Sequence, residues 1–253
     1  MKNLPLVSVV IPYHKKKFYF NKTINSILGQ TYKKFEIILI YDDNNLNELE
    51  FLKKIKKKFK KIKLIINKKN LGPGLSRNKG ILLSRGTYIA FCDADDIWKK
   101  NKLDVQLKFM ISNNLDISHT SYYVIDESSK KIGKFKVKPK INYKDLLKSC
   151  DIGLSTVLIK KSTLKNFKFS NLKTKEDYYL WLRLSKKNQY IFGLDSFLTL
   201  WRDSGESLSS SLIQKISDAY RLYKKLNYNN LVSIVLTFRL SIYALIKKIF
   251  IFK

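Results

Sequence analysis

Asp93, Asp95 and Asp96 fall within four positions at the end of the apolar run TYIAFC, in a chain whose formal net charge is +30. Neighbouring carboxylates repel and raise one another's pKa unless something positive sits between them. Acids separated by a small residue such as Ala94 suit a divalent cation, because Mg2+ or Mn2+ takes one or two protein carboxylates and fills its shell with phosphate oxygens. The cluster therefore predicts that the missing positive charge arrives with a metal-bound diphosphate. Asp96 has a second reading, as the cap of a helix beginning near Trp98. Another acidic pair, Glu176-Asp177, opens EDYYLWLRLSKK, where apolar residues on both sides predict a buried helix with a fixed acidic start. For Glu176, pairing with the helix macrodipole is the structural alternative.

The elements that must position these acids read as alternating strands and helices. LVSVVIP (6–12) is a continuous β-branched run stopped by proline, the mark of a buried parallel strand, and FEIILIY (35–41), KLII (63–66) and TYIAFC (87–92) repeat it. Between them, Asn21 is expected to cap a helix with Ile24, Ile27 and Leu28 on one face; Leu49, Leu52, Ile55 and Phe59 form a second stripe; Leu75 to Ser84 form a third helix. Alternation of this kind predicts an α/β sheet of right-handed crossovers, with ligands beyond the carboxyl ends of the strands. Four segments then share one rim: PYH (12–14), YDDNN (41–45), NLGPGLSRN (70–78) and CDADD (92–96). Further on, a helix from about Trp98 to Asn113 precedes a hairpin of DISHTSYYVID and KIGKFKV, a short helix near 143–149 and a strand at 155–160.

The 253 residues suffice for one large domain, or one domain with an appendage, and 45% hydrophobic content with 13% aromatics excludes a disordered chain. Only six of the 50 basic residues are Arg, whereas readers of phosphate and base edges lean on Arg forks; the lysines of KKIKKKFKKIK follow helical spacing as a solvated face, and no nucleic-acid partner is expected. Cys92 and Cys150 form neither a disulfide framework nor a CxxC pair, and MKNLPLVSVVIPYH is too short in its apolar part for a signal peptide. A cytoplasmic location follows as the expectation. The apolar C-terminal segment 231–253 is interrupted by Arg239, Lys247 and Lys248, which argues against a spanning helix. It reads either as an interfacial helix on an anionic membrane or as a helix packed on the domain.

The set VSVVIPYH, SILGQTYKKFEIILIYDD, NLGPGLSRNKGILLSRGTYIAFCDADDIW and KEDYYLWLRL resembles the family 2 glycosyltransferases of the GT-A fold, in order and with similar spacing, over residues 7 to about 205. The resemblance is to the bacterial branch that builds lipopolysaccharide, O-antigen or capsule chains. It implies a GT-A domain over 1–205, with a nucleotide-sugar half (1–114) and an acceptor and base half (115–205), followed by a helical appendage over 206–253. It places Pro12 and Tyr13 against the base and ribose, Asp43 as acceptor for the uracil imide N–H, Arg77 near the base or phosphates, Asp93 on the ribose and Asp95 on the metal. Asp177 matches the family's base, with Glu176 in support.

The implied activity is inverting transfer of a sugar from a nucleotide diphosphate, expected to be uridine-linked, to a lipid-linked or growing glycan, with Mn2+ or Mg2+ as cofactor. Each role has a structural alternative: a strand-ending proline, a turn aspartate in YDDNN, a first-turn surface arginine, and loop geometry alone for Gly72 and Gly74. Two departures stand out. His14 and Asn44-Asn45 replace the usual neighbours of the nucleotide loop, and the stretch WRDSGESLSSS lacks the histidine that often completes the metal site, leaving Asp203 as a further candidate. His119 reads as a core histidine. A phosphatase using Asp93 as nucleophile in DADDI, and a non-catalytic basic protein binding RNA or lipid, are the competing readings. The first leaves PYH, YDD and the Glu-Asp helix without a task, and the second leaves the clustered acids unexplained.

Overall fold

The computed structural model describes residues 4–187, 190–204 and 212–251. It opens with β1 (Val7–Tyr13), α1 (Lys17–Leu28), β2 (Phe35–Tyr41), α2 (Leu46–Lys58), β3 (Ile62–Ile66), α3 (Pro73–Leu83) and β4 (Tyr88–Phe91). These four strands run parallel in the order β3-β2-β1-β4. Their alternation feeds two cores. Val9, Ile11, Tyr13, Ile37 and Leu39 face α1 and α2, while Val10, Ile38, Ile40, Ile89 and Phe91 face the opposite side. Each fully buried Ile or Leu in these faces contributes about 1.5–3 kcal/mol. The continuous apolar runs exist because both faces of this sheet are covered.

Local chemistry sets the helix starts. The Asn45 side chain accepts from the amides of Asn47 and Glu48 to cap α2, and Lys56, Lys57 and Lys58 sit at its negative C-terminal end. Pro73 occupies the first turn of α3, and Gly72 before it has φ of 82°, a left-handed conformation that a side chain would strain. Asn21 is not a cap: α1 begins four residues earlier, at Lys17.

Past β4 the sheet turns mixed. The chain continues through β5 (Ile97–Trp98), α4 (Lys102–Ser112), β6 (Ile117–Ile125), β7 (Lys131–Phe135), β8 (Lys140–Ile141), α5 (Tyr143–Lys148), a 3-10 turn at Leu154–Thr156, β9 (Leu158–Lys160), α6 (Glu176–Lys186) and β10 (Ile191–Arg202). Antiparallel β9 joins β4 to β6, β10 lies parallel to β6, and β5 closes the far edge against β10. The expected hairpin is present as β6 and β7, and the expected helices at 143 and 176 are present as α5 and α6. Three expectations are corrected. Ile97 and Trp98 form a strand and α4 starts only at Lys102; the expected strand at 155–160 is a 3-10 turn followed by three strand residues; and β10 was not foreseen at all.

Two helices complete the chain, α7 (Leu212–Lys225) and α8 (Asn230–Ile251). Ala219, Leu222, Tyr223, Leu226, Leu236 and Leu240 join Leu180, Trp181 and Leu184 of α6 in one buried cluster. α7 and α8 are thus packed into the domain's core along one side.

Candidate active site

Four chain segments meet beyond the carboxyl ends of the parallel strands, as the alternation predicts. The turn after β2 is organised by two aspartates. Asp42 is buried and its Oδ1 accepts from Asn67 Nδ2 and the Leu71 amide, both at 2.8 Å, which fixes the loop leading into α3. Asp43 accepts from the amides of Asn44 (2.7 Å), Asn45 (3.3 Å) and Lys15 (3.2 Å). It is therefore a turn aspartate, as the structural alternative held; a carboxylate has about four acceptor positions, so one remains for a ligand N–H. His14 stands beside it, 3.8 Å from Asp43 Oδ2.

Pro12 is the one half-buried residue of an otherwise buried β1, and Tyr13 does not present its ring to the rim. It is 0% exposed, packs edge-on against Phe20 with centroids 4.9 Å apart, and donates its hydroxyl to Glu48. The expectation that Tyr13 lies against the base and ribose is corrected for its ring, because strand alternation turns it to the same face as Val9 and Ile11.

The acidic turn after β4 is compensated by the protein itself, against the expectation that its counter-charge comes only with a ligand. Arg77 Nη2 donates to Asp93 Oδ1 at 2.7 Å, and Lys16 Nζ lies 2.8 Å from Asp95 Oδ2. Asp96 does not cap a helix: its Oδ1 accepts the Arg202 amide at 2.8 Å, which pins the turn to β10. The Arg202 side chain donates to the Asp95 carbonyl (3.0 Å) and to the Asp126 carbonyl (2.6 Å), joining the acidic turn to the β6–β7 turn. Lys16 and Arg202 were missed in the sequence. Lys16 precedes α1 with no motif around it, and Arg202 lies inside WRDSGESLSSS, where the adjacent acid Asp203 is not its partner. Burial raises the pKa values of Asp95 and Asp96, with Lys16 pulling that of Asp95 back.

Arg77 is not a surface arginine. Its side chain is 4% exposed, and its other terminal nitrogen reaches Glu176 Oε1 at 2.5 Å. One guanidinium thus bridges the acidic turn to the first turn of α6. Close approach of the two helices makes this possible: a Cβ on Gly74 would stand 2.3 Å from the Ser170 carbonyl oxygen and 3.0 Å from Glu176 Cγ. The start of α6 is also held from α7, where Asp218 accepts from the Thr174 amide (2.8 Å) and hydroxyl (3.0 Å).

Glu176 serves Arg77 directly, beyond any interaction with the macrodipole, and burial pushes it up to about 7 despite the pull of Arg77. A carboxyl raised in the fold stabilises it most when protonated, below its ordinary 4.5, and loses that contribution as pH climbs through the folded value. The native-minus-Glu176→Gln difference in unfolding free energy should therefore fall as pH rises from 4.5 to about 7. Chemical denaturation at intervals across that window checks it, and a flat difference removes the assignment.

Asp177 is half-buried and follows Glu176 in the same turn, with its Oδ1 accepting the Tyr178 amide at 2.7 Å. Burial raises its pKa, against the pull of Arg77. Asp177 and Asp93 line one cavity of about 220 Å3 with Tyr122, Cys150, Gly153 and Trp201. Asp203 does not join them: it is exposed, and its amide donates to the Ile125 carbonyl at 2.9 Å. Residues 205–211, most of the stretch where a histidine was sought, lie outside the described residues. His119 is fully buried with neither ring nitrogen paired, and burial lowers its pKa to about 3, which agrees with a neutral core histidine.

Among the described residues no cluster of three His, Cys, Asp or Glu could hold a metal unaided. Asp93 and Asp95 still suit a divalent ion that brings its own diphosphate oxygens. They stand on one turn with side chains 32% and 14% exposed, and each commits one oxygen to a protein cation.

A parallel half-sheet carrying an acidic turn at its carboxyl edge, continued by a mixed half that supplies a carboxylate helix, is the architecture of GT-A glycosyltransferases. S. aureus TarS 1–349 in complex with UDP-GlcNAc superposes with a TM-score of 0.70 at 19% identity, covering 91% of this chain and 70% of that one. The sequence profile of glycosyl transferase family 2 matches residues 8–170. The chain belongs to this family and is a glycosyltransferase. Two Escherichia coli relatives, both UDP-Glc:alpha-D-GlcNAc-diphosphoundecaprenol beta-1,3-glucosyltransferases, lie along nearly its whole length. WfgD is 34% identical over 88% of this chain and 92% of its own, and WfaP is 32% identical over 98% and 97%. Family membership sets aside the phosphatase and the non-catalytic readings.

Proposed function

We propose that this glycosyltransferase moves a sugar from a uridine diphosphate sugar to a glycan borne on a lipid diphosphate, with inversion at the anomeric carbon. The observation that carries this reading is the shared cavity of Asp93 and Asp177, which sets a donor-side acid and a candidate base around one small volume. Pro12 and Asp43 border the base, and Asp93 takes the ribose under the tension of Arg77. Asp95, with Asp93, would hold Mg2+ or Mn2+, which supplies charge stabilisation for the departing diphosphate. Asp177 accepts the proton of the acceptor hydroxyl as its oxygen bonds to the anomeric carbon. The bond from that carbon to the diphosphate breaks, and UDP leaves with the electron pair. Lys16 adds positive charge beside the acidic turn. The donor and acceptor named for WfgD and WfaP support UDP-glucose and a GlcNAc-diphospholipid as the first pair to try.

Thermal unfolding of the native protein with nucleoside diphosphates, with and without Mn2+, tests the donor. Ligand at about 100 times its Kd adds about 2.7 kcal/mol. That corresponds to a rise in melting temperature of roughly 5–10 °C for a chain of this size. UDP should produce the rise and ADP should not; no shift with any nucleotide would remove the proposal.

The lipid-linked acceptor gives α8 a role. Leu231, Ile234, Phe238, Ile242, Leu245 and Ile249 form an exposed stripe along its outer face. The helix is long and apolar enough to cross a membrane by length and composition. Its other face, however, is tied to the domain: Arg239 donates to the Leu147 carbonyl and Lys247 to the Cys150 carbonyl. The helix therefore lies along an anionic membrane surface, with the enzyme on the cytoplasmic side. Phe238→Glu with Leu245→Glu should weaken binding to phosphatidylglycerol vesicles by at least tenfold, roughly the loss of two inserted side chains. Vesicle sedimentation reads it, and unchanged binding would place the attraction in the lysine faces.

A further inference from the structure

The wall of the cavity opposite the acidic turn is formed by Cys150, Ile152 and Gly153, in an irregular segment between α5 and the 3-10 turn at Leu154–Thr156. A segment without ladder or helix bonds takes its position from tertiary contacts. Ile152 is buried in the domain core and Lys138 lies 4.0 Å from Asp151 Oδ2, and the remaining tertiary polar contacts come from α8, almost a hundred residues further along. Lys247 Nζ donates to the Cys150 carbonyl at 2.8 Å and lies 3.3 Å from Asp151 Oδ1. The Ser149 hydroxyl donates to the same carboxylate oxygen at 2.7 Å, so the ammonium and the hydroxyl hold Asp151 from two sides. About two turns earlier on α8, Arg239 Nη2 donates to the Leu147 carbonyl at 3.1 Å and closes the C-terminal end of α5.

The lysine is also largely shielded from solvent. Its ammonium sits 4.2 Å from the centroid of the Phe135 ring on β7, and its side chain is 20% exposed. Burial opposes its charge, and Tyr122 and Asp151 outweigh that opposition and raise its pKa. A buried ammonium keeps its place only where partners replace its water, and here the partners are the Cys150 carbonyl in the cavity wall and the Asp151 carboxylate directly after it in sequence.

We propose that Lys247 is a positioning residue for the acceptor: by holding the Cys150 carbonyl and Asp151, it sets the wall against which the acceptor sugar rests beside Asp177. The inference rests on the reading of this cavity as the acceptor site. It makes α8 a two-sided element, whose outer stripe meets the membrane and whose inner lysine shapes the pocket that a membrane-borne substrate must enter.

The test compares the full-length native protein with Lys247→Met and Lys247→Arg in three measurements: amide hydrogen exchange over 149–153, thermal shift with UDP and Mn2+, and transfer from UDP-glucose to a soluble GlcNAc-α-diphosphoryl lipid. Lys247→Met should speed exchange in that segment at least about tenfold, raise the KM for the lipid about tenfold and change kcat by less than about twofold. The UDP shift should stay native, and Lys247→Arg should recover most of the exchange protection. A merely structural lysine would lower the melting temperature without separating KM from kcat. Native exchange or native KM in Lys247→Met overturns the inference while native UDP binding and transfer stand. If the native protein neither shifts with UDP nor glycosylates the lipid, the donor and acceptor reading itself falls, and the inference with it.

Discussion

Asp177→Asn should bind UDP as the native protein does and transfer sugar about 10³-fold more slowly. The substitution keeps the volume and the acceptor for the Tyr178 amide, so α6 retains its first turn. On the proposed reading, what it removes is the negative oxygen that takes a proton as the acceptor oxygen attacks. Asp93 is not placed to substitute, because its Oδ1 is committed to Arg77 at 2.7 Å. The pH profile supplies a second reading of the same residue. Burial raises the Asp177 pKa, so the native rate should fall as pH drops through that raised value, with the carboxylate needed in its ionised form. Steady-state rates with UDP-glucose and the GlcNAc-diphospholipid, together with UDP thermal shifts, check both. A rate near native in Asp177→Asn would remove Asp177 from the chemistry.

Asp95→Ala should leave the protein folded without ligand and abolish its metal-dependent stabilisation by UDP. Its carboxylate is crowded by Asp93 and Asp96, burial already opposes its charge, and its partner Lys16 can turn to solvent when released. The melting temperature without ligand should therefore stay within a few degrees of native. With UDP and Mn2+, the loss of the carboxylate should cost about 10²-fold in apparent affinity, comparable to the loss of a metal-site ligand or its support. At the ligand concentration that shifts the native protein by roughly 5–10 °C, the variant should hardly move. A native shift in Asp95→Ala would mean that the diphosphate is held by other groups, with Lys16 and Arg77 the first to examine.

Much of the donor side was legible along the chain because it is built from local patterns. Continuous β-branched runs marked the buried parallel strands, and the rule that ligands lie beyond their carboxyl ends gathered PYH, YDDNN, NLGPGLSRN and CDADD onto one rim, where the structure has them. The alternation that turns Tyr13 inward was also present in VSVVIPY, where Val9, Ile11 and Tyr13 share a face. Reading that strand by its period would have kept the ring out of the nucleotide site.

β10 escaped because its pattern is broken. Gly193 and Asp195 interrupt it, register shifts fall between Leu194 and Thr199, and Asp195 is placed by Ser121 and Lys136 from elsewhere in the chain. The short strand at Trp98 escaped as well, since two residues carry no period and only pairing with β10 defines them.

The sequence by itself determined the family, the parallel half-sheet, the acidic turn and the start of the Glu176-Asp177 helix, since each depends on neighbours within about a dozen positions. Tertiary structure alone decided how the acids are compensated. Arg77 reaches Glu176 across 99 positions, Arg202 meets Asp96 across 106, and Lys247 holds Cys150 across 97. A lysine or arginine in the sequence says that a positive charge exists, but a charge acts over a few ångströms in the folded chain. Which carboxylate or carbonyl it serves is set by the packing that brings α3, α6, α8 and β10 around one cavity.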